Sequence, residues 1–201
     1  MDRLALALAT PTDADALIAL WFEAFPLKFG HLMGDALLPL LQNWFKHVPR
    51  VFAHTYLARM DGACVGYIQF GTKGSTRMTE GLWGLWSAAW HHLGGSRAAI
   101  CMLRLALGEF FERTRSGELF IKMLGVHSNN RGQGVGASLL EFAEAHARSL
   151  GLRRLRLNVV GENTGAIRLY ERFGFVRGVQ HRFLVRWVLG SSGYYSMTKD
   201  L

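Results

Sequence analysis

The stretch Val126-His127-Ser128-Asn129-Asn130-Arg131-Gly132-Gln133-Gly134-Val135-Gly136-Ala137 constrains this chain more than any other. It follows Glu118-Leu119-Phe120-Ile121-Lys122-Met123-Leu124-Gly125, which is apolar and β-leaning. It precedes Ser138 to Arg148, where Leu139, Leu140, Phe142, Ala143 and Ala147 share one face at helical spacing. The pattern predicts a strand, a glycine-rich turn and a helix start. The first turn of a helix leaves backbone N–H groups unpaired, at the positive end of the helix dipole. Gly132, Gly134 and Gly136 carry no Cβ, so a ligand phosphate can come close to the backbone. Arg131 adds a fixed positive charge. Such a site suits a pyrophosphate.

Two common pyrophosphate folds do not fit. Gly136 is followed by Ala137-Ser138, so the Walker lysine is missing. A dinucleotide fold needs its glycine fingerprint in the first strand-turn-helix and an acidic residue closing the next strand. Here the loop lies far into the chain, and Leu155-Arg156-Leu157-Asn158-Val159-Val160 ends without one. Downstream comes a second motif, Asn163-Thr164-Gly165-Ala166-Ile167-Arg168-Leu169-Tyr170-Glu171-Arg172-Phe173-Gly174-Phe175. Arg131-x-x-Gly134-x-Gly136 resembles the acetyl-CoA loop of the GCN5-related N-acetyltransferases, the GNAT superfamily. The downstream motif resembles that superfamily's second signature, an Asn, then a helix ending in Leu-Tyr, then Gly-Phe.

The resemblance implies an α/β (α+β layered) GNAT fold: a mixed, mostly antiparallel seven-stranded sheet flanked by helices. It implies acetyl-CoA as co-substrate and no metal. It places the pantetheine arm on backbone groups of Leu124, Gly125 and Val126, in a gap opened where the fourth strand bulges and splays from the fifth. Gly125 suits that bulge. The pyrophosphate falls to Arg131, Gly132, Gln133, Gly134, Val135, Gly136 and Ala137. Asn163 can cap the following helix and, by resemblance, also contact the coenzyme. Tyr170 is the candidate acid for the departing thiolate, with the Val126 N–H as partner for the thioester carbonyl. A phenol has a pKa near that of a thiol.

The general base is open. Family enzymes that carry a glutamate on the fourth strand are matched here by Lys122. Those resembling ribosomal-protein N-terminal acetyltransferases carry a glutamate where this chain has Asn158. Glu23, Glu80 and Glu118 are alternatives, as are a water chain or solvent, with Lys28 and His31 near the acceptor side by layout. The expected function is N-acetylation of a primary amine by direct attack in a ternary complex. A protein or peptide N-terminus as acceptor, or an acyl-CoA-binding regulatory module without turnover, are the rival expectations.

The length of 201 residues suits a single domain over 1–201. Residues 3–9 look like a first strand, and Thr12 or Asp13 can cap the helix that follows. A second helix spans Leu32 to Phe45, bent near Pro39. Val51 to Arg59 and Ala63 to Gly71 read as a hairpin turning at Asp61-Gly62. Residues 72–117 are too long a link for a structureless loop and predict a helical insertion between the third and fourth strands. Leu82, Trp83, Leu85, Trp86, Ala89, Trp90 and Leu93 mark one helix. Ile100, Leu103, Leu105, Leu107, Phe110 and Phe111 mark another. That insertion suits a lid over the acceptor pocket, a homodimer surface, or a hairpin that only packs on the core. Gly151 terminates the long helix, and a C-terminal hairpin is expected from Phe175 through Lys199.

Cys64 and Cys101 sit in apolar surroundings without metal-like spacing and read as buried free thiols. His91-His92 point about 100° apart on a helix and make a poor chelate. The net charge of +8 comes without a nucleic-acid-binding signature, so no nucleic-acid partner is expected; a basic surface also attracts coenzyme A. The partner expected is a small-molecule amine or a peptide. No apolar run spans a bilayer and no convincing signal peptide leads the chain, so a cytoplasmic protein is the default.

Overall fold

The computed structural model describes residues 4–24, 42, 49–71, 82–111, 114–182 and 190–201, with the side chains of 49–51, 82–85, 88, 92, 105 and 108–111 set aside. The expected second helix, Glu80, Lys28 and His31 lie outside the described residues, apart from the lone position 42. Among those described, seven strands form one sheet in the order β1-β2-β3-β4-β5-β7-β6. They are β1 (Ala5–Leu8), β2 (Thr55–Met60), β3 (Ala63–Gly71), β4 (Glu118–Val126), β5 (Arg154–Val160), β6 (Val176–His181) and β7 (Tyr194–Asp200). The helices are α1 (Ala14–Ala24), α2 (Leu82–Leu93), α3 (Gly95–Phe111), α4 (Val135–Ser149) and α5 (Thr164–Arg172). The helical insertion therefore stands where the length of 72–117 requires it, as α2 and α3 joined at Gly94, whose φ of 76° suits glycine.

Local chemistry sets the boundaries. β2 starts later than expected, because Pro49–His54 form a 3₁₀ turn led by proline, whose fixed φ suits a first helical position. Asp61 and Gly62 both have positive φ, 50° and 80°, the backbone of a tight hairpin turn between β2 and β3. Thr10 caps a 3₁₀ turn over Pro11–Asp13 that leads into α1, and Asp13 accepts from the Thr10 N–H at 2.9 Å. Gly151, with φ 68°, ends α4 as expected.

Each face of the sheet carries its own core. On one, Leu17, Trp21, Leu57, Tyr67 and Met123 pack with Ala89 of α2 and Ala98 and Cys101 of α3. On the other, Ile68, Ile121 and Leu157 pack with Val135, Leu139, Leu140 and Ala143 of α4 and with Ile167 and Tyr170 of α5. Cys101 is buried and Cys64 half-buried, both as free thiols.

All described strand pairs are antiparallel except β4 with β5. α4 supplies the crossover that a parallel pair needs. At the start of these strands Arg156 Nε donates to Glu118 Oε1 at 2.7 Å, with both side chains 5% exposed. The Arg156 guanidinium also lies 4.3 Å from the centre of the Phe120 ring. Glu118 is thus a strut at the closed end of the strand pair.

Two stability predictions follow from these carboxylates. Glu118→Ala strands a buried cation and is expected to cost about 3–5 kcal/mol in urea unfolding, whereas Glu118→Ala with Arg156→Met recovers much of the loss. Glu162, in the turn after β5, accepts from Ser191 Oγ at 2.7 Å and from Ser192 N–H at 2.8 Å. The Ser191 bond, then those from Ser192, hold its carboxyl at about 2, below the ordinary 4.5. A depressed acid stabilises the fold fully above its ordinary value, and this is lost as pH falls toward the folded value. The wild-type unfolding midpoint should therefore decline between about pH 4.5 and 2 through this group, and Glu162→Gln should flatten that part of the profile.

Candidate functional site

The pairing of β4 with β5 runs only from Glu118–Arg154 to Ile121–Leu157. β4 continues to Val126 and β5 to Val160, but no further pairs join them. The irregularity that accompanies this divergence lies at Lys122. Gln69 pairs with Met123 and Phe70 with Ile121, which leaves Lys122 as the extra residue on β4. The bulge is therefore not at Gly125, which pairs regularly with Tyr67. Glycine is needed at 125 for a different reason. A Cβ there would stand 2.5 Å from Tyr67 Cε1 and 2.8 Å from Ala24 Cβ. The Tyr67 ring lies across the strand where a side chain would be.

The mouth of the gap leads to the glycine loop. Gly132 and Gly134 have φ of 79° and 85°, and nothing lies within 4 Å of a Cβ built on either. Both are required by backbone conformation and both face open space. Gly136 differs: a Cβ there would meet Leu169 Cδ2 at 2.9 Å, so its absence lets α4 approach α5. Gly134 caps α4, and the helix's first bond runs from Ser138 N–H to Gly134 O. The N–H groups of Val135, Gly136 and Ala137 therefore lie ahead of the helical ladder, as anion binding needs. Arg131 is exposed, with its Nε donating to Val126 O at 3.2 Å, and Gln133 Nε2 donates to Asn129 O at 2.9 Å. An open concavity, free amides and one arginine fit a pyrophosphate.

Asn163 takes the role of helix cap: its Oδ1 accepts from Ala166 N–H at 3.1 Å. Tyr170, on the same short helix, is 7% exposed and packs on Phe175 at 5.9 Å. Burial pushes its phenol up to about 12. The hydroxyl is thus held protonated, but it no longer matches a thiol in acidity as a free phenol does.

Glu23, weighed from sequence as a base, is committed to the loop. Its Oε1 accepts from Ser128 N–H at 2.5 Å, and its Oε2 lies 3.5 Å from His127 Nε2. The Ser128 bond holds the carboxyl below its ordinary range, with His127 and Arg131 adding to the effect. A carboxylate so held is a weak proton acceptor. Two residues escaped the sequence reading. His127 looks like part of the loop alone until α1 brings Glu23 to it. Tyr67 looks like an ordinary strand aromatic until Gly125 is seen beneath it.

The Acetyltransferase (GNAT) family model matches residues 14–175. The chain belongs to this family. The mycothiol acetyltransferase of Geodermatophilus obscurus is 42% identical over 71 residues, 35% of this chain and 21% of that protein. The matched region thus spans about a fifth of that relative. Among solved structures, the Thermoplasma acidophilum PaiA N-acetyltransferase in complex with coenzyme A superposes with a TM-score of 0.62 at 12% identity, covering 99% of each chain. Arabidopsis thaliana Naa50, in complex with the bisubstrate analogue CoA-Ac-MVNAL, gives 0.61 at 19% identity over 98% of this chain and 99% of its own. At such identities the likeness is one of fold.

The loop geometry sets a test. Gly134→Ala places a methyl in the open concavity at φ 85°, and Gly151→Ala places one at φ 68° at the far end of α4. Each should cost about 1–2 kcal/mol of stability. Only Gly134→Ala should weaken coenzyme A binding in calorimetry, by about tenfold or more.

Proposed function

We propose that the protein is an acetyl-CoA-dependent N-acetyltransferase that acts on a primary amine by direct transfer within one ternary complex. The observation that carries the reading is the divergence of β4 from β5 beyond Ile121–Leu157, directly above the glycine loop and the start of α4. It leaves Met123 to Val126 outside the β4–β5 ladder, among the described residues, and so offers backbone groups to an extended ligand arm. Acetyl-CoA supplies the activated carbonyl. Its pyrophosphate falls to Arg131, Gly132, Gln133 and Gly134 and to the amides of Val135, Gly136 and Ala137. Its arm falls to Leu124, Gly125 and Val126, with Asn163 at the neighbouring helix start.

The backbone N–H of Val126 polarises the carbonyl as its oxygen gains charge. Tyr170 donates to the departing sulfur. At about 12 its phenol stays protonated across the working range, so donor capacity does not lapse in mild alkali. Glu118 is tied to Arg156 and Glu23 to Ser128, which takes these two carboxylates out of the role of general base. The Naa50 complex with CoA-Ac-MVNAL supports a single cleft for both reactants in this fold, and the mycothiol acetyltransferase likeness supports acetyl transfer.

The test is thiol release from acetyl-CoA against a panel of amines and peptides, with coenzyme binding measured on the same preparation. Tyr170→Phe should lower turnover by roughly 10²-fold while leaving coenzyme affinity within about twofold. Turnover equal to wild type in that variant would remove Tyr170 from the chemistry. Tight coenzyme binding with no release across the panel would point instead to a binding module.

A further inference from the structure

Tyr67 is fully buried on β3, yet its hydroxyl has a poor partner. Among the described residues its hydrogen bond runs to Met123 Sδ at 4.0 Å. A thioether is a weak acceptor, and buried phenols ordinarily find better ones. Burial, with a contribution from Tyr170, raises the Tyr67 phenol well above its ordinary value. The group is therefore a permanent hydroxyl, and among the described residues no bond uses its oxygen lone pair.

Its direction follows from packing. Tyr67 pairs with Gly125, and the ring occupies the space above the glycine where a Cβ would be. From there it reaches Met123, two residues back along β4 and one past the bulge at Lys122. Met123 is where β4 has just parted from β5, so the hydroxyl is directed toward the residue at which the gap begins. Trp21 of α1 holds the ring from outside, with centroids 6.3 Å apart. Tyr67 belongs to the core on the α1 face, and Tyr170 to the core on the α4 and α5 face.

Two reactants meeting in one gap need separate approaches. The loop and α4 take one face for the coenzyme, leaving the α1 face for the acceptor. We propose that Tyr67 positions the acceptor amine: its hydroxyl oxygen accepts one amine N–H, which turns the nitrogen lone pair toward the carbonyl carbon. This rests on the acetyltransferase reading above and names a group that contacts the acceptor. In the step, the N–C bond forms and the C–S bond breaks. The nitrogen's surplus proton goes to solvent, the sulfur takes a proton from Tyr170, and Tyr170 is reprotonated from solvent. Tyr67 keeps its proton throughout.

Tyr67→Phe keeps the ring over Gly125 and removes only the hydroxyl. The experiment measures thiol release from acetyl-CoA with and without a saturating primary amine, alongside coenzyme calorimetry and thermal unfolding. Amine-dependent kcat/KM should fall roughly 10- to 100-fold, the strength of one lost orienting contact. Release by water alone, coenzyme affinity and the unfolding midpoint should stay near wild type. Tyr170→Phe should lower both the amine-dependent and the water-dependent release. An unchanged amine-dependent kcat/KM in Tyr67→Phe overturns the assignment and leaves the acetyltransferase reading intact. Equal loss of the water-dependent release overturns it too, because the hydroxyl would then serve the carbonyl or the sulfur. A wild-type protein that binds coenzyme and acetylates no amine overturns both readings together.

Discussion

Everything at the candidate site depends on where β4 and β5 stop pairing. A parallel pair that ran its full length would bury its backbone groups in its own ladder and offer none to a ligand. Here the ladder ends at Ile121–Leu157. Two features act on either side of that point. At the closed end, the ion pair of Glu118 with Arg156, stacked on Phe120, ties the strands together. Just beyond it, the extra residue at Lys122 adds local twist to β4 on its β3 side. The closed end is thus braced where the open end begins.

The glycines near that gap answer three different demands. At Gly132 and Gly134 the backbone adopts positive φ, and space lies above it. At Gly136 the demand is for two helices to approach, with Leu169 filling the room a Cβ would take. At Gly125 an aromatic ring from the neighbouring strand crosses the chain. Only the first pair leaves an open surface for a phosphate. The same residue type therefore marks ligand contact, helix packing and side-chain passage within a short segment.

Burial also divides the polar groups by task. Tyr67 and Tyr170 are kept as neutral hydroxyls by desolvation, so each can hold a hydrogen bond at any working pH. Glu23 is held ionised by the Ser128 amide and fastens α1 to the loop. Its carboxylate thereby links the end of α1 to the turn that follows β4.

Local rules sufficed for much of this. The helical period after Ala137, the turn residues Asp61-Gly62, the cap at Asn163 and the stop at Gly151 each depend on a few neighbouring residues, and each stands where those residues require. The length of 72–117 was enough to demand the pair α2 and α3. The glycine spacing with Asn163 and Tyr170 was enough to name the family. What the sequence could not decide is any contact between residues far apart in the chain, because no local preference encodes them. Glu118 is an ordinary acidic residue until β5 carries Arg156 to it across 38 positions. Glu23 meets Ser128 across 105. Gly125 shows its purpose only when β3 lays Tyr67 over it. The chain's own order determined the elements and the glycine loop; the sheet alone decided which phenols are buried beside β4 and which carboxylates are spent on holding the strands and the loop.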